Sequence, residues 1–206
     1  LFIAPHRFDR SPCQRFRFEQ YFDFLEENGF ICKLSFLLTE KDDKAFYRSG
    51  NFLKKAIIFF KCFYKRTRDV LSIYNYDIVF IQREAFFIGY AFFEKIFKIL
   101  GAKIIYDFDD AIWHFDISEG NKMFSFLKSP QKTSEIIKIS DLVFAGNPYL
   151  ADYALNYNTK VCIVPTTIDM FKYNINKRKK KDKICIGWSG SLTTIIHFNF
   201  AELFLK

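Results

Sequence analysis

Along most of the chain, short apolar runs alternate with longer segments of helical spacing. Residues 1–4 (LFIA) predict a strand. Ser11 is then placed as a helix N-cap, with Pro12 at the first helical position and Gln14 completing a capping box. Phe18, Tyr21, Phe22 and Leu25 follow at helical spacing, and Gly29 ends the helix. Residues 30–37 predict a second strand. A helix is expected over 52–73, a strand over 77–82 (DIVFIQ), a helix over 86–100 closed by Gly101, and a strand over 103–106. A longer irregular stretch with short helices covers 111–140. Residues 141–145 (DLVFA) predict a strand, 148–156 a helix and 161–164 a strand. Strands apolar on both sides, alternating with helices, mean a parallel sheet covered on both faces.

After Pro165 the pattern loosens through a basic run. Residues 184–187 (ICIG) then start a new strand, followed by a Gly-Ser turn and an apolar, helix-like tail. The expected fold is therefore α/β, a Rossmann-like parallel sheet with helices on both faces. The first strand–helix unit of a second Rossmann-like domain follows it. The expected domains are 1–165, a basic linker over 166–182, and a truncated domain start over 183–206. The chain opens without Met inside an apolar stretch, so it is expected to be clipped at that end too.

Composition narrows the class. Of 206 residues, 50% are hydrophobic and 26% charged, which excludes a disordered or fibrous chain. The longest uncharged apolar run, residues 85–93 (AFFIGYAFF), is nine residues. A membrane-spanning helix needs about 20. The five cysteines are odd in number and widely spaced, and the three histidines are scattered. Reduced thiols in a cytoplasmic protein are the expectation, with no zinc site.

Charge changes the picture less than its total suggests. The chain is +8 overall, but residues 177–183 (KRKKKDK) hold six basic residues and one acid, +5 of that total. Such a run reads as a solvated linker, with peripheral contact to an anionic inner membrane surface as the alternative. It lacks interleaved aromatics, so no nucleic acid is expected as a partner.

Candidate chemistry lies in the loops after the strands, where open α/β sheets bind ligands. Arg15, with Arg17, is a candidate for holding phosphate or carboxylate near a helix N-terminus. The alternative is a surface arginine paired with Glu19. No GxGxxG follows the first strand, which disfavours an NAD-type site. Three carboxylates, Asp107, Asp109 and Asp110, crowd the end of the fourth strand. They read as a metal site, a general base or a sugar-binding set, or else as helix caps. Glu84 is a further candidate, with an Arg83–Glu84 ion pair as the structural alternative. Asn147 reads as an N-cap before Pro148. In the turn 187–191 (GWSGS), Gly190 and Ser191 suit a diphosphate.

Taken together, SPCQRFRFEQY, YDIVFIQREAF, KIIYDFDDAIW, SDLVFAGNPYLADYA, VPTTID and ICIGWSGS resemble a bacterial glycosyltransferase of family 4 with the GT-B fold. The resemblance implies an acceptor-side N-terminal domain facing a nucleotide-sugar-binding C-terminal domain across a cleft. It implies retaining, metal-independent transfer from a nucleotide-sugar to a glycan or lipid-linked acceptor, in cell-surface polysaccharide synthesis. On that mapping Asp107 and Asp110 are catalytic. Arg15, Arg17, Asp109, Glu84 and Asn147 bind the acceptor, and Gly190 and Ser191 bind the donor. The chain departs from the family in its first loop, PHRFDRSPC, which lacks the usual glycines. It also lacks the C-terminal acidic motif for the donor, so the chain by itself is expected to be inactive. Two alternatives stand beside this reading. One is a metal-dependent GT-A-type transferase using Asp107 and Asp109 as a DxD site. The other is a non-catalytic anion- or glycan-binding α/β domain.

Overall fold

The computed structural model describes residues 1–46, 50–87, 89–114, 129, 131–170, 172–173, 187, 201 and 204. The chain divides into two compact units, Leu1–Asp169 and Met170–Lys206. Most of the second lies outside the described residues, including all but Gly187 of the strand expected over 184–187 and the site residues Gly190 and Ser191. The first unit runs four residues past the expected boundary at 165. Thr167 is tied back to the body of that unit, bonding Gln20 at 3.0 Å and the Tyr21 hydroxyl at 2.7 Å.

The first unit is a six-stranded, all-parallel sheet in the order β2-β1-β3-β4-β5-β6. The strands are β1 (Phe2–His6), β2 (Leu34–Leu38), β3 (Ile78–Gln82), β4 (Lys103–Phe108), β5 (Leu142–Ala145) and β6 (Val161–Ile163). The helices are α1 (Pro12–Arg17), α2 (Phe22–Glu27), α3 (Glu40–Phe46), α4 (Phe52–Leu71), α5 (Phe92–Ile99), α6 (Gln131–Ile139) and α7 (Pro148–Leu155). This is the expected Rossmann-like α/β sheet.

The strands are apolar on both sides because each face packs a different core. Ile3, Val79, Ile81, Ile104, Tyr106, Phe108 and Val143 face the large core built with α4 to α7. The alternate residues Phe2, Ala4, Phe80, Ile105 and Phe144 meet Phe18 and Phe22 on the opposite face. Period-two alternation thus continues upward to His6 and Gln82 at the ends of their strands and Asp107 one residue before the end of β4, all on the α1 side.

Several features differ from expectation, among them β4, which runs on to Phe108 and so takes in Asp107. The first helix is broken: α1 stops at Arg17, a 3-10 turn covers Glu19–Tyr21, and α2 follows. The break at Phe18 (φ −143°) turns Arg17, Phe18 and Glu19 inward together, which a continuous helix does not allow. The expected Ser11 capping box is absent, since Ser11 makes no side-chain cap bond. Gln14 instead grips β1, accepting from the His6 amide at 2.9 Å and donating to the His6 carbonyl at 2.8 Å. Edge strand β2 starts at Leu34, where its register begins with Phe2 opposite Leu34; just ahead of it the Lys33 carbonyl accepts from the Phe2 amide. Finally, α5 begins at Phe92 and not near 86. The preceding backbone is pinned by buried side chains: Glu94 accepts from Ala85 N, while Arg66 and Lys132 donate to the carbonyls of Ala85 and Phe86.

Candidate functional site

β1 lies between β2 and β3, so the chain reverses its direction of travel across the sheet at the β1/β3 junction. The β1–β3 register ends at Ile3 opposite Ile81, whereas β1–β2 continues to His6 opposite Leu38. The two strands therefore part at their carboxyl ends. A switch point of this kind is where doubly wound sheets bind ligands.

The first group at this edge is an ion pair. Arg17 and Asp107 have side chains 0% and 1% exposed. Arg17 Nε donates to Asp107 Oδ2 at 3.2 Å, and its two terminal nitrogens donate to Asp107 Oδ1 and the Val164 carbonyl. One guanidinium thus joins α1, β4 and the exit of β6. Burial pushes the Asp107 carboxyl up to about 6, against the pull of Arg17.

A second group surrounds Arg83, one residue beyond β3. Its backbone is left-handed (φ +63°), an unusual state for a residue with a Cβ. The carbonyl accepts from the Tyr106 hydroxyl at 2.9 Å, and the amide donates to the Asp107 carbonyl at 2.8 Å. These bonds hold the turn. The Arg83 guanidinium meets Asp109 at 3.3 Å and also touches Asp110 and the Cys13 sulfur. Burial works against its charge, but Asp109 and Cys13 together outweigh it and raise the guanidinium above its ordinary value. Burial raises the Cys13 thiol above its ordinary value.

Gly146 supports the same group from β5. A Cβ at this position would lie 3.1 Å from the Asp109 Cα, so only glycine lets the two loops approach so closely. Gln82 completes the edge. Its register partner is Asp107, it is 1% exposed, and its Nε2 is buried with no hydrogen-bond partner among the described residues. An orphaned buried amide is a standing cost of about 1–3 kcal/mol unless a ligand accepts from it.

The expected site residues do not all gather here. Arg17, Asp107, Asp109 and Asp110 do. Arg15 turns away to Asp9, with Nε to Oδ1 at 2.6 Å and a further bond to the Asp9 carbonyl at 3.0 Å. Its expected structural partner, Glu19, instead accepts from Gln14 and the Asp9 amide. Glu84 pairs with Lys132 at 2.8 Å, so the expected Arg83–Glu84 pair is not formed. Asn147 is the N-cap of α7, accepting from Leu150 N at 3.0 Å. Sequence reasoning missed Gln82, Cys13 and Gly146. The signals were a polar residue closing an apolar strand, a thiol one residue into a helix, and a glycine directly after β5.

Among the described residues, Cys13, Asp109 and Asp110 are the one group close enough to share a metal ion. The Arg83 guanidinium contacts all three and competes with any cation there. Asp107 and Asp109 do not act as a DxD pair in this geometry, because each carries its own guanidinium. What remains is a set of hydrogen-bonding groups with two guanidiniums against three carboxylates. A nearly balanced set of this kind suits hydroxyl groups better than a polyanion.

Beside this edge stands an aromatic wall. Trp113 stacks on Tyr153 with ring centroids 3.7 Å apart, and His114 Nε2 lies 3.1 Å from the Tyr149 hydroxyl. No family model, curated protein or solved structure matches the chain.

Proposed function

We propose that the carboxyl edge at β1, β3 and β4 binds the acceptor of a glycosyl transfer reaction. One observation carries the reading. At the topological switch point, the buried Gln82 Nε2 has no partner among the described residues and stands beside a carboxylate–guanidinium array of near-neutral charge. Sugar hydroxyls both donate and accept, so they match carboxylates and an amide N–H at once. The resemblance of the ordered segments to family 4 glycosyltransferases supplies the reaction class.

In this reading the acceptor hydroxyl lies against Asp109 and Asp110, which accept its hydrogen bonds. Asp110, with a side chain 61% exposed, is the carboxylate within reach of a ligand. Asp107 is sealed behind Arg17 and acts as a positioning residue. The hydroxyl oxygen bonds the anomeric carbon as the nucleoside diphosphate departs from that carbon, and the hydroxyl proton passes to the Asp110 carboxylate. Arg83 fixes the two carboxylates in place.

The test is a glycan array probed with the labelled chain, beside Asp109→Asn and Asp110→Asn. The reading expects binding to neutral glycans, weakened about tenfold by either variant, the scale of one charge-assisted hydrogen bond. Binding that is absent, or untouched by both variants, would refute it.

A further inference from the structure

Among the described residues, an unexplained apolar surface lies on α4, away from the carboxyl edge. Its core stripe is Ile58, Cys62 and Arg66, buried at four-residue spacing. Arg66 is fully buried and bonds the carbonyls of Ala4, Ser35 and Ala85, which fixes the orientation of the helix on the sheet. The opposite side should therefore be polar. It is not. On a helix of about 3.6 residues per turn, Leu53, Ile57, Phe60, Tyr64 and Leu71 fall on one line. They are 78%, 49%, 68%, 66% and 76% exposed.

The charges beside this stripe share one sign. Lys54, Lys61, Lys65 and Arg68 follow each other along one flank of the helix. The nearby acids are directed elsewhere or only graze the flank. Asp69 binds the buried Arg66 at 2.7 Å, Glu40 binds Lys44, and Asp43 takes Arg7 and Arg10. Asp42 approaches Lys61 at 3.6 Å, and the Lys65 ammonium lies over the Phe36 ring at 3.7 Å. On the other flank, Phe63 packs on Phe93 of α5, and the half-exposed Phe92 extends the apolar patch.

We infer that the exposed face of α4 is a membrane-docking surface that lies in the interface of an anionic lipid bilayer. Charge complementarity selects this occupant. A second copy would bring like-charged flanks together, whereas anionic headgroups meet them with the opposite sign. The Leu–Ile–Phe–Tyr line enters the boundary between headgroups and acyl chains, the position taken by amphipathic helices with a basic flank. Among the described residues no helix is long and apolar enough to cross a membrane, so α4 lies on the surface. In sequence, α4 lies far from the basic run at 177–183.

The test is co-sedimentation of the full chain with vesicles of phosphatidylcholine alone, or with about one-third phosphatidylglycerol to supply surface charge. The expected result is binding to the anionic vesicles only. Lys54→Gln with Arg68→Gln should weaken it about 25-fold, at about fivefold per cation. Leu53→Ser with Phe60→Ser should weaken it about tenfold or more. Both pairs lie in solvent, so an unchanged melting temperature verifies the fold. Equal binding to both vesicles, or no binding to either, overturns the proposal. So does binding unaffected by either pair, which assigns it to residues 177–183. Light scattering that shows a dimer broken by the Leu53/Phe60 pair overturns it in favour of self-association.

Discussion

Replacing Arg17 with Met leaves the Asp107 carboxylate buried, without the guanidinium that binds both of its oxygens. Breaking one partner of a buried pair costs about 3–5 kcal/mol, because the survivor keeps its desolvation cost. For a chain of this size each kcal/mol lowers the melting temperature by about 2–4 °C, so a fall of about 10 °C is expected. Replacing both partners, Arg17→Met with Asp107→Leu, should recover most of that loss. The Val164 carbonyl loses its donor in the single and the double variant alike, so its contribution cancels in the coupling energy. A pH series adds an independent check. The folded carboxyl titrates near 6 against an ordinary 3.8. Between these values the folded state holds more protons than the unfolded one, so stability falls as pH rises through the window. The loss attributable to Asp107 reaches about 3 kcal/mol by neutral pH. Chemical denaturation of the parent chain and Asp107→Asn, compared from pH 4 to 7, isolates that slope from other groups. A cost below about 1 kcal/mol for Arg17→Met, or a double variant no better than the single ones, would refute the reasoning.

Three further outcomes follow from the geometry. Gly146→Ala should push the Asp109 loop outward and weaken glycan binding with little loss of stability; array binding beside a thermal melt reads both. Asn147→Ala removes the side-chain cap of α7 and should cost about 1 kcal/mol in chemical denaturation, with no effect on ligand binding. Among the described cysteines, thiol labelling followed by mass spectrometry should find Cys162 modified first and Cys62 last. Cys162 is exposed, whereas Cys62 is buried, bonds the Leu37 carbonyl and has its thiol pushed up to about 11.

The sheet was legible because its signals are local. Each strand from β3 to β6 is an apolar run bounded by polar residues, and Asn147-Pro148 marks the start of α7 by cap chemistry alone. α3 was missed although Thr39 and Asp42 reciprocate as a cap, with the Asp42 amide donating to the Thr39 hydroxyl. The signal was present in TEKD, but the segment has no apolar stripe to draw attention to it. Tertiary bonds decided the remaining boundaries. Nothing near Phe86 in the sequence announces that its carbonyl belongs to Lys132, or that Ala85 belongs to Arg66 and Glu94. The site divides the same way. Crowding of Asp107, Asp109 and Asp110 could be seen in one short loop. Whether Arg15 or Arg17 turns inward depends on the break at Phe18, which helical spacing does not predict.

The central claim is that the carboxyl edge around Gln82, Arg83, Asp109 and Asp110 receives a polyhydroxyl ligand. Amide NMR during titration with neutral oligosaccharides tests it most directly. The account predicts saturable shifts at residues 82–86, 107–114 and 146–150, with the Gln82 side-chain amide among the most displaced. Shifts confined to other surfaces, or none at saturating sugar, would contradict it.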